Sequence, residues 1–349
     1  MRLFVVLTSL LAFALCSFHL RDNARSTPKE TLSEYGFFKG KLSDLNPVET
    51  VLPYSVNTPL FSNYAEKARF VQIPTGSKVT YNDTASLDFP VGTFLIKNFY
   101  YPHDFRKPEK GRRIIETRVL LRDESGWQAY PYIWNEEQTE AYYDPAGETI
   151  EVKFINASGK KITTPYVIPN KNQCKGCHHS NDTFTPIGTS ARQLNGDMTY
   201  ADVGRRNQLI YWQEIGVLNI IPETLPRLAV WNDENTGNIN ERARAYLDAN
   251  CGHCHSRTGP ANTSGLFLNI FENDPGHLGV HKAPVAAGRG AGDLQYDIVP
   301  GDPQKSILVY RMNTTDPAIA MPEIGRELIH IEGIELIEEW IRKNTFVSN

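Results

Sequence analysis

Two segments of the chain repeat one arrangement of reactive side chains: Cys174-Lys175-Gly176-Cys177-His178 and Cys251-Gly252-His253-Cys254-His255. Two thiols three positions apart sit along one helical turn, and an imidazole follows at once. Covalent haem attachment uses all three groups. The thiols add to the two vinyl groups on one porphyrin edge, and the histidine becomes the proximal iron ligand. Two other chemistries use a Cys-x-x-Cys pair. Two pairs can make a Cys₄ zinc site, and one pair can work as a redox dithiol. Neither needs a histidine directly after the second cysteine. With nine histidines in 349 residues, chance placement at both positions is on the order of one in a thousand. The reading is two c-type haems bound through Cys174, Cys177, Cys251 and Cys254, with His178 and His255 as proximal ligands.

The residues around the second motif suggest its other iron ligand. A helix over residues 239–250, with Ala243, Tyr246 and Leu247 on one face, runs into Cys251. A loop-rich stretch, 256–303, follows, then Met321-Pro322, then a helix over 331–344 whose face of Ile334, Ile337 and Ile341 is widened by Leu336 and Trp340. That order is the layout of a cytochrome c domain, and it points to Met321 as the sixth ligand. Met312 competes, but it lies in a stretch that reads as a packed helix, where methionine fills core space. The first motif offers less. Met198 is twenty residues beyond His178, a short loop in which to carry a ligand over a haem. His179 is adjacent to the proximal ligand and cannot reach the opposite face of the same ring. His103, in Tyr100-Tyr101-Pro102-His103-Asp104, is the other candidate, although a lone histidine in a turn is more often a surface residue. A first-motif segment too short to wrap a haem alone must borrow a wall, and the preceding residues are at hand to supply it.

These motifs need scaffolds. Residues 30–168 read as a β-rich domain. Residues 149–154 alternate apolar and polar side chains, the period of a half-buried strand. Residues 156–160 have turn chemistry, and 162–167 can return as the second arm of a hairpin. Further strands are expected over 69–73, 93–100, 114–121 and 126–133. Residues 169–235 form a first haem-binding segment, with a helix over 207–217 that closes at Gly216. Residues 236–349 are expected to be a C-terminal cytochrome c domain. The expected fold class is α+β multidomain: a β-rich N-terminal domain followed by all-α cytochrome c-like haem domains.

The N-terminus bears on location. Met1-Arg2 gives one positive charge, and residues 3–15 are apolar apart from Thr8 and Ser9. That is too short to span a bilayer and suits the apolar region of a signal peptide, placed at 1–16. A short buried helix is the competing reading. Cys16 is a candidate for a lipid anchor, with Leu15 a poor fit to it. Export to the periplasm suits c-type haem, which is attached outside the cytoplasm. No other stretch is long enough for a membrane helix. A net charge of −4 and no long charged run leave nucleic acid without a footprint.

Several segments carry a resemblance: Pro59-Leu60-Phe61-Ser62-Asn63-Tyr64-Ala65, Tyr101-Pro102-His103-Asp104, Ile115-Glu116-Thr117-Arg118, Tyr132 to Thr139, Asn172-Gln173-Cys174, Pro186-Ile187-Gly188, Asn207-Gln208-Leu209, Asp248-Ala249-Asn250-Cys251, Val299-Pro300-Gly301 and Met321-Pro322-Glu323. With the two haem motifs, they make the chain similar to a family of bacterial dihaem c-type cytochromes with an N-terminal β-rich domain. The resemblance implies two haems and a periplasmic or cell-surface setting, raises His103 as the first haem's other ligand, and implies no substrate. The leading expectation is single-electron transfer between redox partner proteins. The alternatives are a haem enzyme, peroxidase-like or a small-molecule oxidoreductase, with an open first haem, and an electron-transfer subunit of a dehydrogenase.

Overall fold

The computed structural model describes residues 26–181, 183–285 and 287–343. The expected signal peptide over 1–16, with Cys16, lies outside the described residues.

Period-two alternation builds the main element. Strands β1 (Val51–Tyr54), β2 (Glu66–Gln72), β3 (Phe94–Pro102), β4 (Arg112–Asp123), β5 (Gly126–Trp134) and β6 (Ala141–Tyr143) form one antiparallel meander in sequence order. Every neighbour in the sheet is a neighbour in the chain, the simplest way to pair strands. One face carries Ile96, Val119, Tyr130 and Tyr132, and it is covered by Leu32, Phe37 and Leu45 from the chain before β1.

The opposite face is less uniform. At one end Val71 and Leu95 pack with Leu194, Leu209 and Trp212. At the other, Phe99, Tyr101 and Ile115 pack with the separate hairpin β7 (Glu148–Ile155) and β8 (Lys161–Ile168) through Val152, Phe154 and Tyr166. Between these apolar areas stand three cations in a row. Arg69 on β2 is directly opposite Lys97 on β3, which is opposite Arg118 on β4. Like charges opposite one another on neighbouring strands repel. Glu116 relieves part of that repulsion. It is fully buried, accepts from Arg118 Nε at 2.7 Å and Nη2 at 2.5 Å, and accepts from the Tyr166 hydroxyl at 2.7 Å.

The remaining elements are short: α1 (Lys171–Cys177), β9 (His179–Ser180), β10 (Thr183–Phe184), α2 (Ala191–Leu194), β11 (Asp197–Tyr200), β12 (Gly204–Asn207), α3 (Gln208–Glu214), α4 (Ile239–Leu247), α5 (Ile307–Met312) and α6 (Ile331–Lys343). The expected all-α haem domains are therefore overturned. Among the described residues there are twelve strands and six α-helices, and the longest helix has 13 residues. Four of the strands lie in the first-motif segment itself. Between α4 and α5 the chain runs through irregular loops and single 3₁₀ turns, because glycine and proline recur there every few residues and interrupt any longer helix. The packing of the flanking helices does occur: Ala243, Tyr246 and Leu247 of α4 share a core with Ile334, Ile337 and Trp340 of α6.

Residues 57–64 tie these parts together. Asn57 Nδ2 donates to the carbonyls of Arg192, Asn195 and Leu228, and Thr58 Oγ1 to that of Ala229 at 2.7 Å. The Phe61 amide donates to Asn250 Oδ1 at 2.8 Å, and Asn63 Oδ1 accepts from the amides of Glu327 and Leu328 at 2.8 and 3.0 Å. One strand connection thus fixes the first-motif segment and the C-terminal part to the sheet.

Glu116→Gln should lower stability by about 3–5 kcal/mol, because it strips a buried cation row of its paired carboxylate. Urea unfolding of the variant measures this. A loss under about 1 kcal/mol would show that Glu116 does not hold the row.

Candidate functional site

The first motif is built by a capped helix and a small strand pair. Asn170 Oδ1 accepts from the Gln173 amide at 2.8 Å, and Gln173 Oε1 accepts from the Asn170 amide at 2.9 Å. This capping box fixes where α1 begins, and therefore where Cys174 and Cys177 fall on it. The His178 amide donates to the Cys174 carbonyl at 3.0 Å as the helix ends. The chain then turns back through β9 and β10 and brings Phe184 and Thr185 to the histidine. The His178 ring stacks on Phe184 with centroids 4.9 Å apart and planes within 2°. Its Nδ1 is 2.9 Å from the Thr185 carbonyl. A carbonyl only accepts, so Nδ1 carries the proton and Nε2 is left as a bare donor atom for a metal. Burial, then the Lys97 charge, pushes the His178 imidazole down to about 3.

The second motif repeats the plan. Asn238 and Glu241 form a capping box, with Oδ1 accepting at 3.0 Å and Oε2 at 2.8 Å. Helix α4 ends in one widened turn, Asp248–Gly252, that carries Cys251. The amides of Cys254 and His255 donate to the Cys251 carbonyl at 3.1 and 2.8 Å. His255 Nδ1 faces the Ser264 hydroxyl at 3.4 Å and the backbone of Leu266. Gly252 is required by close approach: a Cβ there would stand 2.9 Å from the Asn269 Cα. The 266–269 loop therefore lies directly on the motif, and the Leu268 amide donates to the His255 carbonyl at 2.8 Å.

Each histidine opens onto empty space. His255, Cys251, Cys254, Met312 and Met321 line a cavity of about 440 Å³. His178, Cys177 and His253 line one of about 600 Å³. A further cavity of about 170 Å³ is walled by His178, Cys174, His253, Arg69, Lys97 and Arg118. The larger two have the size of small-molecule and cofactor sites. The two motifs abut, with Cys254 Sγ 4.0 Å from the Gly176 carbonyl.

The thiols discriminate between the candidate chemistries. Burial pushes Cys251 up to about 12 and Cys254 up to about 11, and it also raises Cys174 and Cys177. A working dithiol needs the opposite shift. All four are free cysteines. Among the described residues no group of three or more Cys, His, Asp or Glu is gathered as a zinc site requires.

Of the expected sixth ligands, Met321 shares a cavity with His255. Met312 lines the same cavity but belongs to the core with Leu308 and Ala243. The structure does not bring His103 to His178. It is exposed, its ring lies against Gly111, and it lines none of these cavities. The reason is distance along the chain: the cavity that His178 shares with the sheet is walled by Lys97, and six further residues of extended chain carry His103 up to about 20 Å beyond it. Backbone bonds of 3.1 Å to Gly111 and Ile155 hold it there. Met198 is half-buried in the core around Trp212 and is also off these walls.

Sequence reading missed Arg69, Lys97, Arg118 and His253. The first three gave no clear signal in the sequence, since Lys67 and Glu116 share the inward strand faces with Arg69 and Arg118, and only the strand register shows the row. Burial, then Arg118 and Arg69, pushes the Lys97 ammonium down to about 7. Such a row suits an anionic group, a carboxylate above all.

No protein-family model matches the chain, and no curated protein and no solved structure matches it.

In protein matured with haem, Met321→Ala should turn the second haem high-spin and lower its potential. Met312→Ala should mainly cost packing, about 2–5 kcal/mol, and His103→Ala should leave the spectrum unchanged. A thioether-to-iron band that survives Met321→Ala and disappears in Met312→Ala would reverse the assignment.

Proposed function

We propose that this protein is a dihaem c-type electron-transfer protein. One observation carries the reading. Two abutting Cys-x-x-Cys-His turns each present an imidazole at a cavity wall, with Nδ1 engaged at the back of the ring. Haem bound there would supply an iron that takes up and releases one electron.

The chain's own residues then have defined tasks. Cys174, Cys177, Cys251 and Cys254 would anchor the two groups. Thr185, and Ser264 with the Leu266 backbone, orient His178 and His255. Met321 is positioned to act on the second site. Arg69, Lys97 and Arg118 offer the first site partners for the carboxylates that haem carries. The adjacency of the motifs favours transfer of electrons within the molecule, between redox partner proteins outside it. A periplasmic or exported setting, by leader cleavage or with a lipid on Cys16, belongs to the same proposal. No helix among the described residues is long and apolar enough to cross a membrane. The resemblance to dihaem c-type cytochromes rests on the two Cys-x-x-Cys-His motifs and on segments such as Tyr101 to Asp104 and Met321-Pro322-Glu323.

A second reading, a haem enzyme, is favoured by one observation. Neither His103 nor Met198 stands on the His178 cavities, and the largest of these has Arg257 and Glu272 on its wall. The two readings separate in a potentiometric titration followed by absorption. Electron transfer predicts two reversible one-electron steps, the His/Met step higher, and no turnover of peroxide. Steady peroxide turnover that is lost in Cys174→Ser/Cys177→Ser would establish the enzyme instead. Absence of any redox-active chromophore would overturn both.

A further inference from the structure

We propose that His253, a spacer residue of the second motif, supplies the second axial ligand of the iron held at Cys174, Cys177 and His178. The proposal rests on the dihaem reading. It concerns a position at which haem attachment asks for no particular side chain, since only the two cysteines and the closing histidine are fixed by the chemistry.

Three observations on the page lead there. First, His253 Nδ1 is buried with no hydrogen-bond partner. Buried polar nitrogens are nearly always paired, and each exception asks for a missing partner. Second, His253 shares two cavities with His178, those of about 600 and 170 Å³. Third, the backbone that carries His253 is held firmly. Gly252 lies under the Asn269 backbone, and a Cβ at Gly259 would strike the carbonyls of His253 and Cys254. A ligand on so constrained a turn is placed in advance.

The rivals on the same walls are weaker. No methionine lines these two cavities. His179 follows His178 directly and cannot cross to the other face of the ring. The Tyr166 hydroxyl is committed to Glu116. Lys97 remains, with its amine 5.1 Å from the centre of the Phe99 ring and flanked by Arg69 and Arg118. Its place in the cation row fits a carboxylate partner better than an iron.

The consequence is structural and functional together. His253 and Cys254 are joined by one peptide bond, so the residue that caps the first site is bonded to the residue that anchors the second. The first site would then be incomplete without the second motif, and an electron moving between them would have a short covalent route.

The test uses the full chain matured with haem. The haem count of the denatured wild type comes first; fewer than two defeats the dihaem reading and leaves nothing for His253 to cap. With two present, near-infrared magnetic circular dichroism and EPR of the wild type should show one His/His and one His/Met low-spin iron. That measurement holds whether or not any variant folds. His253→Ala should turn one iron high-spin and open it to carbon monoxide, with added imidazole restoring low spin. His253→Met should keep it low-spin with a new thioether band. A wild type with one high-spin iron, or with a His/Lys signature lost in Lys97→Met, would overturn the proposal while the dihaem reading stood. So would unchanged spectra in both His253 variants.

Discussion

The Asn250 side chain accepts from the Phe61 amide at 2.8 Å and donates to the Tyr246 carbonyl at 2.9 Å. It is buried, and it sits one residue before Cys251. A buried amide satisfied at both ends has little freedom, and loss of either partner costs about 1–3 kcal/mol. Through this contact the connection between β1 and β2 fixes the end of α4, and with it the second motif, against the six-stranded sheet. The cavity of about 170 Å³ beside His178 is the gap between the sheet, at Arg69, Lys97 and Arg118, and the turn after α4, at Asp248, Asn250 and His253. The second motif therefore depends on a polar contact that it does not contain, and the first-motif segment is tied to the same connection through Asn57.

The walls of that gap are energetically unfavourable by themselves. Three cations face one another across β2, β3 and β4, and one buried carboxylate, Glu116, answers them. Burial raises the Cys174 and Cys177 thiols on the same wall, and the buried Nδ1 of His253 has no hydrogen-bond partner. Local rules of stability are broken in one place while the rest of the sheet obeys them. Such violations cluster at functional sites. A planar group with carboxylates at one edge, vinyl carbons at another and a metal at its centre would answer the cations, the Cys174 and Cys177 thiols and the unpaired nitrogen together.

Much of the scaffold was legible in the residues. The alternation over 149–154 marks β7, and the stretches at 93–100, 114–121 and 126–133 fall on β3, β4 and β5. The apolar face of residues 331–343 marks α6. The capping boxes Asn170/Gln173 and Asn238/Glu241 stand in the sequence as Asn-x-x-Gln and Asn-x-x-Glu, and they account for the starts of the motif helices. Other features were not legible, for identifiable reasons. The layout helix, loop, methionine, helix suggested an all-α unit, but the loops between α4 and α5 hold shape by turns and side-chain contacts rather than helices. The His103 expectation assumed that a histidine near in topology would be near in space, and strand length separates it from the site. The cation row exists only through register, which brings residues 69, 97 and 118 together from distant parts of the chain. His253 was hidden because a spacer position carries no pattern; only its burial against the other motif sets it apart.

Each Cys-x-x-Cys-His turn is proposed to hold a haem through covalent bonds. The direct measurement is the intact mass of the full chain after maturation in an export-competent host, followed by denaturation and acid extraction. The account predicts a chain heavier by two haem groups, falling to one when Cys251 and Cys254 are both replaced by serine. A chain of bare polypeptide mass, or one that loses its haem on acid extraction, would contradict it.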